Sequence, residues 1–584
     1  VRLFKRIVLL FILLAGVSRP ADARNSAANA TRPFSLPFAS APGPGSWLIA
    51  QQYGNTTSAY NYGKYWYGLG QGLHFGLDFS APCATPIVAI ADGVIYQVDN
   101  PQHGAAPHNL LIRHDDLGYI SFYGHLYVKP DVKVGQVVKR GEVVALSGDP
   151  EGTCVSRPHL HMEIRSLDTL TAYDPARLID ADWAMLSSIG YDSDNYFTKD
   201  LYAPNRWQAI EDQPDVHFGA PSLNLYRAVW PPSYRYEPPA PTLPGYTAPP
   251  VVEGMPLTFR ELTDPTCCSQ PWWSPDGQQI NYWDGPDGQI ASVMQIGITP
   301  GSVAALVNNA PSRLLSPNGQ YEVMWDQKKV AIVRLSDGVI FPLDTKSSWP
   351  QFSPGSTRLL WRVLPKDDVP GLNPPLTAIW IANVDGSEPR VVRYQEGGGA
   401  IWLDDDRVLF MTREGRTTIS AISILTLSTG EITPLLTEQN MLGLTVAPGG
   451  KYIMYYLQFQ QDPAQNGIHV MATRINSPKP LLPFFGSWRW RDSHSVIYIP
   501  YAPGSPMRFI LYDVETGQSH PLTDPEKQPF TILNDDWSIA PDGKNLVFWG
   551  SDRHTLWLVT LPTLTSGATP APGTQTPVQT APPG

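Results

Sequence analysis

Two short segments concentrate the chain's chemistry: His74-Phe75-Gly76-Leu77-Asp78 and Pro158-His159-Leu160-His161, with His125 between them. Seven of the twelve histidines fall between His74 and His161. Both spacings are even, and on a β-strand residues an even number apart project to one face. One face then presents His74, Asp78, His159 and His161, while Leu77, Leu160 and Met162 pack behind it. Two imidazoles and a carboxylate make a zinc shell with a fourth position left open, the arrangement of a catalytic site. The alternative, a purely structural zinc site, is closed and usually Cys-rich, which suits these residues poorly. His103, His108 and His114 read as structural histidines. Glu163 shares the face of His161 and is expected to orient a ligand rather than to be one.

The elements that must carry these residues are short strands. Runs at 86–90, 93–98, 110–114, 119–126, 143–147 and 159–165 are separated by Gly and Asp-Gly turns. A short helix is expected from Asp174-Pro175, Asp as N-cap and Pro at the first helical position, continuing intermittently to about residue 188. The whole chain reads as all-β. At 584 residues it exceeds one ordinary domain. Charged residues make up 16% and prolines number 59, a mixture that suits loop-rich β-domains outside the cell. A net charge of −11 gives no electrostatic basis for nucleic-acid binding.

Residues 1–23 read as an export signal: Arg2, Lys5 and Arg6, an apolar run, then Ala21-Asp22-Ala23 as the cleavage site. The apolar run is too short for the roughly twenty residues that cross a bilayer, so no stable membrane insertion is expected after its removal. In an exported protein the four cysteines are candidates for pairing. Cys83 follows Asp78 by five residues and Cys154 precedes His159 by five, so the two thiols would sit at the mouth of a shared site. Their bridge would close a loop of about 70 residues and add about 4 kcal/mol in the chain-entropy model. Cys267 and Cys268 would form a vicinal disulfide or stay free, and three connectivities remain open.

Residues 24–45 form a Pro-rich lead, 46–190 the first domain, and 191–255 a Pro- and Tyr-rich extended linker. Residues 256–563 hold a repeat. Turns at Ser274-Pro275-Asp276-Gly277, Ser316-Pro317-Asn318-Gly319, Ser353-Pro354-Gly355, Ala447-Pro448-Gly449-Gly450 and Ala540-Pro541-Asp542-Gly543 each precede an alternating strand. Degenerate copies occur at Asp404-Asp405-Asp406 and Arg491-Asp492-Ser493. Seven units at roughly 37–50 residues predict a seven-bladed β-propeller, with six blades as the alternative count. The strand at 257–262 is expected to close the ring against the last blade. Residues 564–584 lack apolar content and read as a disordered tail.

The stretch from 46 to 179 resembles the lysostaphin-type (LytM-like) zinc endopeptidases. His74-x-Gly76-x-Asp78 with Ala81-Pro82 resembles that family's first metal motif, Tyr123-Gly124-His125-Leu126 the motif with a catalytic His, and Pro158-His159-Leu160-His161-Met162-Glu163 the closing His-x-His motif. Val134 to Gly141 resembles the lysine- and glycine-bearing turn of the same fold. The sequence departs from the family at Cys83 and in the loop 148–154, where the disulfide would form. The resemblance implies that His74, Asp78 and His161 bind one zinc ion and that His125 and His159 act on the water and the reacting carbonyl, without deciding which is the base. Zinc lowers the pKa of bound water toward about 7, and an imidazole near about 6.5 can take its proton. Gly76 is expected to keep that face clear. The implied substrate is the peptide of peptidoglycan, and the implied place is outside a bacterial cell or in its envelope. A non-catalytic envelope binding protein using this fold as a docking module, or a protease of secreted proteins, are the alternatives. The repeat resembles TolB-like propellers, with no partner legible in its residues.

Overall fold

The computed structural model describes residues 32–564 except 57, 60–62, 64, 156–157, 191–206, 208, 224–245, 266, 268, 285–291, 308–313, 327–328, 347, 364–375, 397–398 and 414–417. The expected export signal, most of the tail and Cys268 therefore lie outside the described residues.

The first domain is built from β1 (Leu48–Gln51), β2 (Leu77–Ser80), β3 (Pro86–Val88), β4 (Gly93–Val98), β5 (Leu110–His114), β6 (Tyr119–Gly124), β7 (Val137–Val138), β8 (Val143–Leu146), β9 (His159–Ser166), β10 (Thr171–Tyr173) and β11 (Val216–His217). The main sheet runs β1-β2-β9-β6-β5-β4-β7, with β10 paired to β9 and β11 to β10. β3 and β8 form a second, two-stranded sheet. β9 is central, and its alternation explains its role. Leu160, Met162 and Ile164 enter the apolar core with Leu77, Phe79 and Ile112, while His159, His161, Glu163 and Arg165 take the opposite face. Asp174 accepts a hydrogen bond from Ala176 N and caps α1 (Pro175–Leu178), and Asp182 caps α2 (Trp183–Leu186) in the same way.

Two segments read as connectors are built into this domain. Phe34 and Phe38, from the Pro-rich lead, are buried in its core. Val216–His217, from the stretch read as linker, adds β11 to the main sheet.

The repeat forms seven sheets, six of four strands and one of three. All seven of the turns read from the sequence join the first and second strands of a blade. The chemistry of the turn explains its recurrence: Ser274 Oγ accepts from Gln279 N, Ser316 Oγ from Tyr321 N and Ser353 Oγ from Arg358 N. Gly277 meets the turn's demand for a left-handed residue at φ +67°. In the degenerate copies an Asp carboxylate replaces the hydroxyl; Asp404 Oδ1 accepts from Arg407 N and Asp492 Oδ1 from Ser495 N. The strand Thr258–Glu261 pairs with Thr555–Thr560 of the last blade, closing the ring between its two ends.

The two domains share apolar seams. Met185 joins Ile497, Ile499 and Trp537 of the propeller, and Leu48 and Ile189 join Tyr456, Trp488 and Val496. Hydrogen bonds flank the seam, from Gly504 N to the Asp182 carboxylate Oδ2 at 2.8 Å and from Phe459 N to the Pro44 carbonyl at 2.8 Å. Among the described residues no helix is long and apolar enough to cross a membrane.

Candidate active site

Register brings the distant residues together. Asp78 on β2 is the direct antiparallel partner of His161 on β9, and His161 is in turn the partner of Gly124 on β6. His125 follows Gly124 as β6 ends, so its side chain arrives beside β9 from the other flank. His74 precedes β2 and is held by a single bridge to Gly54. It reaches the site through a bent extended segment, not as a member of the same strand as Asp78.

The donor atoms converge. One ligand atom each from His74, Asp78 and His161 lies within 4.8 Å of the others, and all three side chains are buried. His74 Nε2 stands 3.3 Å from His161 Nδ1 and 3.3 Å from Asp78 Oδ1, and Asp78 Oδ1 stands 2.8 Å from His161 Nδ1. Tetrahedral zinc with ligands at about 2.0–2.1 Å has ligand–ligand edges of about 3.3 Å, so these atoms need little movement to share an ion.

The remaining ring nitrogens set the tautomers. His74 Nδ1 donates to the Gln52 carbonyl at 2.6 Å, which turns the Nε2 lone pair toward the cluster. His161 Nε2 faces Glu163 Oε1 at 3.2 Å, which leaves Nδ1 for the cluster. A carboxylate or carbonyl behind each ligating imidazole is the usual support of a metal site. Glu163 thus stands behind the cluster, as its place on the strand face predicts. Its other contacts are to Arg165, whose Nε and Nη2 meet Oε2 and Oε1, both at 2.7 Å.

Charge points the same way. Burial would raise the Asp78 carboxyl, but the His74 and His159 charges and hydrogen bonds from His161 and His74 hold it well below the usual range. Burial would raise Glu163 too, and Arg165 and His161 bring it down to about 2. Burial would lower His161, yet its bonds to Asp78 and Glu163 hold it at about 9. Two buried carboxylates therefore stabilise positive charge at this spot. A divalent cation fits that donor set.

His125 and His159 flank the cluster with ring centroids 4.8 Å apart, and the His125 and His161 rings are 5.8 Å apart. His159 Nε2 lies 3.8 Å from Asp78 Oδ2. His125 adopts φ +55° and its Nδ1 donates to the Ala106 carbonyl at 2.5 Å, leaving Nε2 as the basic nitrogen. Burial, then the charges of His159 and His161, push His125 down to about 3, so it is neutral at physiological pH. All five residues singled out in the sequence are gathered here. His114 is elsewhere, bonded to Ser121 Oγ and the Asp92 carbonyl, and His108 pairs with Asp99. His103 is not remote: its Nδ1 lies 3.3 Å from Arg165 Nη1. The space above Gly76 is filled by the His161 ring, since a Cβ there would lie 2.5 Å from His161 Cε1.

The rim is covalently closed. Cys83 and Cys154 form a disulfide across 71 residues of chain. The loop ending at Cys154 folds around buried Asp149, whose carboxylate accepts from Thr153 N at 2.8 Å and Cys154 N at 2.7 Å. Cys267 is also disulfide-bonded.

Arg165 was not singled out in the sequence, although its even spacing from His159, His161 and Glu163 on one strand marks it. The carbonyls of Gln52 and Ala106 carry no such signal.

A β-domain that converges two imidazoles and a carboxylate, with two further histidines alongside, has the make-up of a hydrolytic metal site. Residues 72–175 match the model of peptidase family M23, and this part of the chain is a domain of that family. The chain is 35% identical to lysostaphin of Staphylococcus simulans over 128 residues, 22% of this chain and 25% of that protein. It is 31% identical to the glycyl-glycine endopeptidase ALE-1 of Staphylococcus capitis, over 30% of this chain and 45% of that protein. It is 37% identical to the peptidoglycan DD-endopeptidase ShyB of Vibrio cholerae, over 17% of this chain and 23% of that protein. The chain thus spans less than half the length of each of these relatives.

Proposed function

We propose that this protein is an exported zinc metallo-endopeptidase that hydrolyses amide bonds in the peptide part of peptidoglycan, stem or cross-bridge. The observation that carries the reading is the buried His74–Asp78–His161 cluster with its preset tautomers. The family match adds the peptidase class, and the names of the relatives, a glycyl-glycine endopeptidase and a peptidoglycan DD-endopeptidase, support the substrate class.

In this reading His74, Asp78 and His161 hold one zinc ion. Zinc so held supplies Lewis acidity and makes a water acidic near neutral pH. The chain's own residues do the rest. His125 Nε2, neutral and free of the Ala106 contact, takes a proton and returns it to the leaving amine. His159, beside it, stabilises the developing oxyanion by hydrogen bonding. The disulfide-closed rim keeps the loops at 83 and 154 at fixed separation while an extended peptide lies between them. The propeller, packed against the peptidase domain through Met185, Leu48 and Ile189, gives it a rigid base.

The test is digestion of purified peptidoglycan sacculi by the zinc-loaded chain, with released fragments analysed by mass. New amide-derived termini that vanish in His161→Ala and His125→Ala support the reading. Retention on sacculi without release of fragments refutes it.

A further inference from the structure

The matched family region ends at residue 175, yet a later segment reaches back to the back of the metal cluster. Residues 216–223 are stitched to the loop before His74. His217 N donates to Gln71 Oε1 at 2.7 Å, Gln71 Nε2 to the Pro221 carbonyl at 2.9 Å, Gly219 N to the Leu69 carbonyl at 2.9 Å and Leu223 N to the Gln71 carbonyl at 2.8 Å. β11 at the same time pairs with β10, and Phe218 N donates to the Leu170 carbonyl at 3.0 Å. These bonds fix the Phe218 ring.

That ring is the second of two aromatic rings set against the same guanidinium. Arg165 Cζ lies 4.6 Å from the Phe122 centroid and 4.9 Å from the Phe218 centroid. Arg165 is 4% exposed and its guanidinium fork grips both oxygens of Glu163, which is 1% exposed. Glu163 in turn holds His161 Nε2 at 3.2 Å. A second path runs through Phe75, whose ring is 5.2 Å from Phe218 and 5.8 Å from His161, edge to face in both cases. Both paths end on the same imidazole.

We propose that Phe218 and the strap 216–223 are part of the metal centre's support. They lock Arg165, which locks Glu163, which fixes the tautomer and orientation of His161, so that affinity for zinc depends on residues beyond the family's own domain. The physical reason is that a guanidinium stacked on two rings has one rotamer, and its bidentate grip leaves Glu163 one orientation. With one ring removed, Arg165 gains freedom and water, and Glu163 no longer presents Oε1 to His161 in a single geometry. Phe218 is a positioning residue; it touches neither metal nor substrate. The proposal rests on zinc being held by His74, Asp78 and His161.

The test uses the full chain and zinc alone as probe. Zinc dissociation constants are measured by chelator competition for wild type, Phe218→Ala, Phe218→Tyr and Glu163→Gln, and the visible spectrum of the cobalt-substituted protein is recorded for each. Removing an outer support of a ligating His costs about 10- to 100-fold in metal affinity. Phe218→Ala is expected near the lower end, Glu163→Gln higher, and Phe218→Tyr close to wild type. The cobalt bands of Phe218→Ala should broaden or shift, a change that loss of general stability does not produce. Where Phe218→Ala does not fold, Arg165→Lys, which keeps the charge and loses the fork, carries the same expectation. A folded Phe218→Ala or Arg165→Lys protein with wild-type zinc affinity and cobalt spectrum overturns the proposal. Wild-type protein that takes up no zinc overturns the functional reading itself, a result distinct from that one.

Discussion

Asp78 and His161 are direct partners across antiparallel strands, and Asp78 Oδ1 stands 2.8 Å from His161 Nδ1. Residues 83 positions apart in sequence are thus paired by the backbone ladder itself. Side chains of a directly opposed pair project from the same face, so the register of two strands suffices to bring carboxylate and imidazole together. A one-residue slip of either strand would send that strand's site residue into the apolar core. The many apolar contacts of Leu77, Phe79, Leu160 and Met162 on the opposite face forbid that slip.

Asp78→Asn should remove the charged ligand while keeping the shape. Zinc affinity is expected to fall by more than the roughly 100-fold that marks the upper end for loss of an outer support. Competition titration and metal content after gel filtration measure it. Stoichiometric zinc retained by Asp78→Asn would rule out the ligand assignment.

His125→Ala should separate chemistry from metal binding. His125 does not share the donor cluster, so the variant is expected to take up zinc as wild type does. Loss of a positioned acid–base group lowers kcat by about 10²–10⁴-fold. Comparing metal content with fragment release from sacculi tests both halves. A variant that turns over normally would remove His125 from the mechanism.

The cluster was legible in the sequence because its candidate ligands sit in two short motifs, in or next to strands whose other face is plainly apolar. The propeller was legible because a turn recurs seven times at the same place in each blade, in Ser-Pro, Ala-Pro and Asp variants. What escaped notice lacks periodicity. Phe34 and Phe38 lie among prolines, and β11 is two residues long inside a Pro-rich stretch, so burial there depends on tertiary contacts that no local pattern signals. His74 shows the opposite case. Even spacing placed it with Asp78 on one strand, whereas it stands before the strand and reaches the cluster because Gly76 leaves room for the His161 ring.

The Cys83–Cys154 disulfide restrains a long loop, and in the chain-entropy model its removal costs about 4 kcal/mol. A double Cys83→Ser, Cys154→Ser variant should unfold its peptidase domain at lower urea concentration than wild type, its unfolding free energy reduced by about 4 kcal/mol. Reductant should shift wild type toward the same midpoint. Non-reducing peptide mapping should recover both cysteines in one linked fragment. Equal midpoints for variant and wild type would mean that the bridge is energetically idle.

Asp174 predicts how stability depends on pH. It is fully buried, its Oδ1 caps α1, and its Oδ2 has no hydrogen bond, with Arg177 Nε 3.9 Å away. Burial pushes its carboxyl well above the ordinary value; Arg177 and the Ala176 bond oppose this only in part, and Asp212 and Glu211 add to it. A carboxyl raised in the folded state binds its proton there while the unfolded chain has already released its own. Stability is therefore greatest at acid pH with respect to this group and declines as pH rises from about 4, the unfolded value, toward the folded one. Asp174→Asn keeps an oxygen for the cap and abolishes the titration. It should be more stable than wild type at pH 7, where the raised carboxyl has to release its proton or stay protonated against the solvent, and should lose that advantage near pH 4. Urea denaturation of both proteins at the two pH values measures the difference, and an advantage that does not change with pH would show that the Asp174 carboxyl is not raised in the folded protein.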